Sequence, residues 1–182
     1  MQRPTIAFDV DDVLADLVTT WLNRYNKEYC DDLESEDIKA WDIEMFVKPE
    51  CGKKIYDYID RTIYDEMPPI KNALKSVEIA RNFGRVIFVT NSIKHHGGAK
   101  YDWLEKNGFK PDSMDYVECR DKGLIIADVL IDDYQWNLER FRGNGLLFTQ
   151  PWNREIAGFD RIDKFNEQFE TILTGVLNGR QI

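Results

Sequence analysis

Short runs of purely apolar residues, at 6–8, 86–89, 129–131 and 146–148, alternate along this chain with longer amphipathic stretches. A strand with one wet face alternates apolar and polar residues, so unbroken runs of this length read as strands buried on both faces. Strands separated by helical segments are joined by crossovers, which produce a largely parallel sheet covered by helices. The expected fold class is therefore α/β, and ligands in such folds sit beyond the carboxyl ends of the strands.

The helical segments carry their own signals. Leu17, Trp21, Tyr25 and Tyr29 recur every four residues after Asp16, a suitable N-cap. Residues 100–107 form a second helix, bounded by Gly97-Gly98 before it and by Gly108, suited to a left-handed cap, after it. Pro68-Pro69 breaks the chain, so the helix leading into 86–89 starts afresh near Asn72. Phe165, Phe169, Ile172 and Val176 give a last amphipathic helix after Asp163. Residues 16–68 contain no convincing strand and are too long for an ordinary loop. They are expected to form a helical lobe inserted into a core made of residues 1–15 and 69–182.

Composition narrows the partners. The 182 residues include 24 Lys plus Arg against 33 Asp plus Glu, for a formal net charge of −9. A surface that binds a nucleic-acid polymer needs a basic face to release counterions, and no such cluster is present. The N-terminal apolar run is broken by Asp9, and no stretch approaches the ~20 apolar residues of a membrane span. Three scattered cysteines, Cys30, Cys51 and Cys119, form no metal or disulfide pattern. A cytoplasmic protein with reduced thiols and no membrane or polymer partner is the expectation.

The acidic residues have an order. Asp9, Asp11 and Asp12 follow the first apolar run in IAFDVDDVLAD, and in extended chain positions 9 and 11 project to one side. Asp132-Asp133 follow another run in VLIDDY, on the same rim of a parallel sheet. Like charges this close raise each other's proton affinity unless a cation or a shared proton relieves them, and all-oxygen ligands suit magnesium. Thr90, Asn91 and Ser92 end the strand at 86–89 on that rim, and Lys100 follows at a helix start. Each motif has a plainer reading: an acidic loop with helix caps, a Ser/Thr/Asn turn, a surface lysine. Their combination on one rim favours a site for a single phosphate.

Taken in order, DVDDV, VTNS, Lys100 and IDD resemble the four motifs of the haloacid dehalogenase-like (HAD) phosphohydrolase superfamily, with its three-layer Rossmann-like core and a cap inserted after the first motif. DVDDVLADL, VTNSIKHHGGAKYDWLEKNGF, VLIDDY and TQPWNREIAGFDRIDKF look most like the 5′(3′)-deoxyribonucleotidases within it. The resemblance implies Asp9 as the nucleophile forming an aspartyl-phosphate and Asp11 as general acid and base. It implies magnesium held by Asp9, Asp132 and the main-chain carbonyl of Asp11, with Asp133 supporting it directly or through another ligand. Thr90, Lys100 and Asn91 become phosphate-binding residues. Asp12 stands where many members have Gly, which calls for a positive φ that Asp tolerates less well.

The implied activity is a magnesium-dependent phosphomonoesterase acting on a nucleoside monophosphate, with Trp41 and Tyr64 of the insertion stacking on the base. Both aromatics could equally pack the lobe's own core. Other readings are a phosphatase of sugar phosphates or other small phosphoesters, and a non-enzymatic receiver-like domain phosphorylated on Asp, which the motif order disfavours. His95-His96 read as loop residues at a hinge, and Trp136 and Asn137 as props for the second acidic loop.

Overall fold

The computed structural model describes residues 3–92 and 96–179. Its centre is a six-stranded sheet in which every neighbouring pair is parallel. The strands are β1 (Thr5–Phe8), β2 (Arg85–Thr90), β3 (Tyr116–Glu118), β4 (Val129–Asp132), β5 (Asn144–Phe148) and β6 (Asp160–Ile162), in the order β3-β2-β1-β4-β5-β6. The four apolar runs are the four inner strands. The two strands that the sequence did not announce, β3 and β6, are the edges, each three residues long.

Alternate side chains of the inner strands enter two separate cores, which is why the runs are continuously apolar. Ile6, Phe8, Val86, Phe88, Val129, Ile131, Leu146 and Phe148 face a large core that takes in α1 (Leu17–Tyr29), α3 (Ala73–Phe83), α4 (Gly97–Lys106) and α6 (Phe169–Leu177). Ala7, Ile87, Val89, Leu130 and Leu147 face a smaller one closed by Leu138 and Phe141, on and just after α5 (Gln135–Arg140). Among the described residues no helix is long and apolar enough to cross a membrane, and all three cysteines are free.

Residues 16–68 hold α1, the short α2 (Ile63–Glu66) and three 3-10 turns, with no strand among them. Asp16 caps α1 by accepting from the Thr19 amide, and Trp21 donates from Nε1 to the Ile55 carbonyl at 2.6 Å, tying the segment together. Its two ends run side by side: Ala15 bridges Pro69, the Asp16 amide donates to Pro68 O, and the Ile70 amide donates to Leu14 O at 2.7 Å.

Two helix boundaries differ from expectation. α4 begins at Gly97, so the glycines lie inside its first turn. The Glu118 carboxylate lies against the Gly97 Cα, where a Cβ would displace it. α6 begins at Phe169; Phe165 is buried from the turn ahead of it, its ring packed at a tilt against Phe8 and Phe148.

Candidate active site

The sheet order reverses at β1: the chain runs from β1 to β2 and β3 on one side, then crosses back to β4 on the other. A crevice beyond the strand ends forms at such a point. Asp9 follows β1 there, its amide donating to the Ile131 carbonyl at 2.9 Å, and Asp132 ends β4 beside it. One oxygen from each of Asp9, Asp132 and Asp133 lies within 4.8 Å of the others, and all three residues are buried.

The chain does not stay extended past Phe8. It turns, with Asp11 bridging Ala15 and Asp12 at φ +53°, so Asp9 and Asp11 converge through a turn and not through strand alternation. Asp12 compensates for its strained backbone. Its carboxylate accepts from the Val18 amide in the first turn of α1, its amide donates to Ala15 O, and its carbonyl accepts from Gln150 Nε2 at 2.6 Å. A glycine could not supply the helix cap.

Two buried lysines divide the carboxylates between them. Lys100, 1% exposed, donates from Nζ to Asp11 Oδ2 at 2.6 Å, Thr90 Oγ1 at 2.8 Å and the Asn91 carbonyl at 2.6 Å. Asn91 thus contributes a main-chain oxygen, and its side chain is exposed. Lys122, also 1% exposed, reaches Asp9 Oδ1 at 2.8 Å and Asp132 Oδ2 at 2.6 Å. Nothing in CRDKGLI sets it apart from the other charges of a surface loop.

The second acidic loop is held in detail. Asn137 Nδ2 donates to both oxygens of Asp132, the Tyr134 amide donates to Asp132 Oδ1, and Trp152 Nε1 donates to Asp133 Oδ2 at 2.9 Å. Asn137 is the expected prop, whereas Trp136 is 55% exposed. Trp41 stacks on Tyr134 with centroids 4.1 Å apart and meets Trp152 edge-on, so one of its faces is already covered. Arg154, in the segment after β5, pairs through both guanidinium nitrogens with Glu36, tying that segment to residues 16–68. Tyr64 is 4% exposed, with its ring edge-on to His96 and 6.0 Å from Lys100 Nζ. His95 lies outside the described residues.

Asp9, Asp11, Asp12, Asp132 and Asp133 set five carboxyl groups against two ammonium groups. Burial raises the proton affinity of Asp133 and Asp12 well above the carboxylate range, and neighbouring aspartates add to it. Burial also raises Asp132, to about 6, against the pull of Lys122, and raises Asp11 against Lys100. For Lys122, burial works to lower the pKa, but Asp9 and Asp132 outweigh it and hold the ammonium charged. The surplus of buried negative charge and the all-oxygen donor set fit a divalent hard cation such as magnesium at Asp9, Asp132 and Asp133.

This surplus sets a pH dependence. Carboxyls whose folded pKa exceeds the unfolded value of about 4 bind protons preferentially in the folded state, so stability falls as pH rises through the folded pKa. In EDTA the thermal midpoint is expected to be higher at pH 6 than at pH 8, and magnesium should stabilise more at pH 8. Scanning calorimetry at both pH values checks it; a metal-free midpoint that rises with pH contradicts the assigned charge surplus.

A parallel sheet with two acidic strand ends at its switch point, a strand-end threonine and two buried lysines is the architecture of a HAD-type hydrolase, and solved structures agree on the fold. A HAD hydrolase from Bacillus subtilis, solved with magnesium, superposes with a TM-score of 0.59 at 15% identity, covering 95% of this chain and 100% of its own. A HAD family hydrolase from Deinococcus radiodurans, solved with phosphate and sodium, gives 0.59 at 12% identity over 97% and 96%. Sequence relatives are more specific. The 5′(3′)-deoxyribonucleotidase of Clostridium acetobutylicum is 36% identical over 165 residues, 88% of this chain and 90% of the relative. That of Bacillus subtilis is 32% identical over 171 residues, 91% and 96%. Residues 3–178 match the model of the family described as 5′ nucleotidase, deoxy (pyrimidine), cytosolic type C protein. The chain belongs to this family of nucleotidases, phosphoric monoester hydrolases on the HAD fold.

Proposed function

We propose that the protein is a magnesium-dependent phosphomonoesterase that removes phosphate from a nucleoside monophosphate, with a 5′(3′)-deoxyribonucleotide as the favoured substrate. The observation that carries this reading is the pairing of two differently held aspartates. Asp9 is clamped through Oδ1 by Lys122 and the Val10 amide, so Oδ2 keeps its lone pairs for an electrophile. Asp11 keeps a buried Oδ1 with no hydrogen-bond partner.

In this reading Asp9 attacks phosphorus, forming a carboxylate O–P bond as the P–O bond to the leaving alcohol breaks. Asp11, its proton affinity raised by burial, protonates the departing oxygen and then takes a proton from the water that hydrolyses the aspartyl-phosphate. Lys100 and Thr90, already aligned by their mutual hydrogen bond, hold the transferred phosphoryl oxygens, with Asn91 beside them. Asp9, Asp132, Asp133 and the Asp11 carbonyl would hold magnesium, which neutralises charge between nucleophile and phosphate. Lys122 holds Asp9 in place. Residues 16–68 act as the cap, moving about the bridged backbone at Ala15 and Pro69.

The stacking of Trp41 on Tyr134 supports a second reading, a smaller phosphoester, because that face is not free for a base. Phosphate release from nucleoside monophosphates and sugar phosphates, with magnesium and then with EDTA, separates the two. Nucleotide turnover lost on chelation is the expected result. Trp41→Ala is expected to lower nucleotide kcat/KM about 10-fold if the exposed face takes the base. An equal loss on sugar phosphates assigns the residue to holding the acidic loop instead.

A further inference from the structure

We propose that His96 is a substrate-positioning residue whose Nδ1 hydrogen-bonds a polar group of the leaving alcohol, on the β2 side of the site. The inference deepens the phosphatase reading and rests on it. His96 caps the start of α4, four residues before Lys100, so the imidazole and the ammonium that grips Asp11 stand on one helix face. The imidazole ring meets Tyr64 edge-on at 5.8 Å, and its Nδ1 is buried without a hydrogen-bond partner among the described residues.

Buried polar atoms are nearly always satisfied, and a single exception is often a local defect. Here the exceptions gather. Among the described residues, Asp11 Oδ1 after β1 and His96 Nδ1 before α4 are buried without partners, and Asp11 pairs through its other oxygen with Lys100, four residues after His96. A polar ligand bound beside Lys100 is the partner assigned to them.

The chemistry of that ligand follows from the charge state. Burial and the Lys100 charge push the His96 pKa below the usual histidine range, so the ring is neutral near pH 7. A neutral imidazole adds little to phosphate binding, which Lys100 and Thr90 already serve, but it suits a hydroxyl group. At helical spacing His96 heads the stripe of Ala99, Trp103 and Lys106, which with Arg61 and Tyr64 lines a cavity of about 360 Å³ between α2 and α4. Tyr64, which lines that cavity, meets His96 edge-on and lies 6.0 Å from Lys100 Nζ, so His96 is placed beside both the phosphate site and the cavity wall. A sugar hydroxyl is the group assigned to it.

The test compares His96→Phe, which keeps an aromatic edge against Tyr64, with His96→Asn, whose amide places a hydrogen-bonding atom near the position of Nδ1. For each, kcat/KM is measured with magnesium on the best nucleotide and on para-nitrophenyl phosphate, whose leaving group has no hydroxyl to read. In His96→Phe the nucleotide-to-nitrophenyl ratio is expected to drop about 10-fold or more, chiefly through KM, and in His96→Asn to recover to within about 3-fold of wild type. An unchanged ratio in His96→Phe, or an equal loss on both substrates, overturns the assignment. If the wild type turns over no nucleotide, the nucleotidase reading fails separately, and the same ratio is taken on the best hydroxyl-bearing phosphoester of the panel.

Discussion

Asp9→Asn is expected to lower phosphate release by on the order of 10⁴-fold or more in kcat while leaving the fold intact. An amide oxygen is a poor nucleophile, yet it can still accept the two hydrogen bonds that orient the side chain, from Lys122 Nζ and the Val10 amide. The substitution also removes one charge from a cluster in which Asp9 pushes up the proton affinity of Asp11, Asp132 and Asp133. The metal-free variant should therefore unfold at the same temperature as the wild type or slightly above it. Loss of turnover together with an undiminished midpoint in EDTA is the signature of a missing nucleophile; a large drop in midpoint would mark structural damage. Turnover retained in the variant removes Asp9 from the role.

The residues of this site divide by how they announce themselves. Asp9 and Asp132 were legible because each ends an apolar run, and a carboxylate at the mouth of a doubly buried strand has few structural reasons to be there. The inner strands were legible for the related reason that burial on two faces leaves no polar position. The edge strands β3 and β6 have only three residues each, mostly half-buried, and without a long apolar run they look like loop. Phe165 had the spacing of a helical residue, but periodicity cannot tell a helix face from an aromatic tucked in from a preceding turn. For Trp41 the residue type was informative and its neighbour was not: nothing in KAWDIEMF foretells that one face rests on Tyr134, some ninety positions away. Lys122 is the sharpest case, since its burial comes wholly from tertiary placement.

That placement makes Lys122→Met the second large effect. The ammonium lies 2.8 Å from Asp9 Oδ1 and 2.6 Å from Asp132 Oδ2, and both carboxylates are buried. Removing one partner of such a cluster leaves charge uncompensated where water cannot reach, at a cost of about 3–5 kcal/mol. For a chain of this size that is a fall of roughly 10 °C in the thermal midpoint without metal. Protonation of Asp132 or Asp133 limits the loss, so the fall should be smaller at pH 6 than at pH 8, and magnesium should recover part of it. Activity should not recover in step. With the methionine in place Asp9 loses the contact that fixes its orientation and a neighbouring positive charge, and kcat is expected to fall about 10³-fold even with saturating magnesium. Lys100→Met, by contrast, frees Asp11 and removes a phosphate contact, so its effect should weigh more on KM. Thermal scans with and without magnesium, beside steady-state kinetics of both variants, distinguish the two lysines. If Lys122→Met kept both its midpoint and its kcat, the ammonium would be a spectator, and the cation at Asp9 would have to carry the charge balance alone.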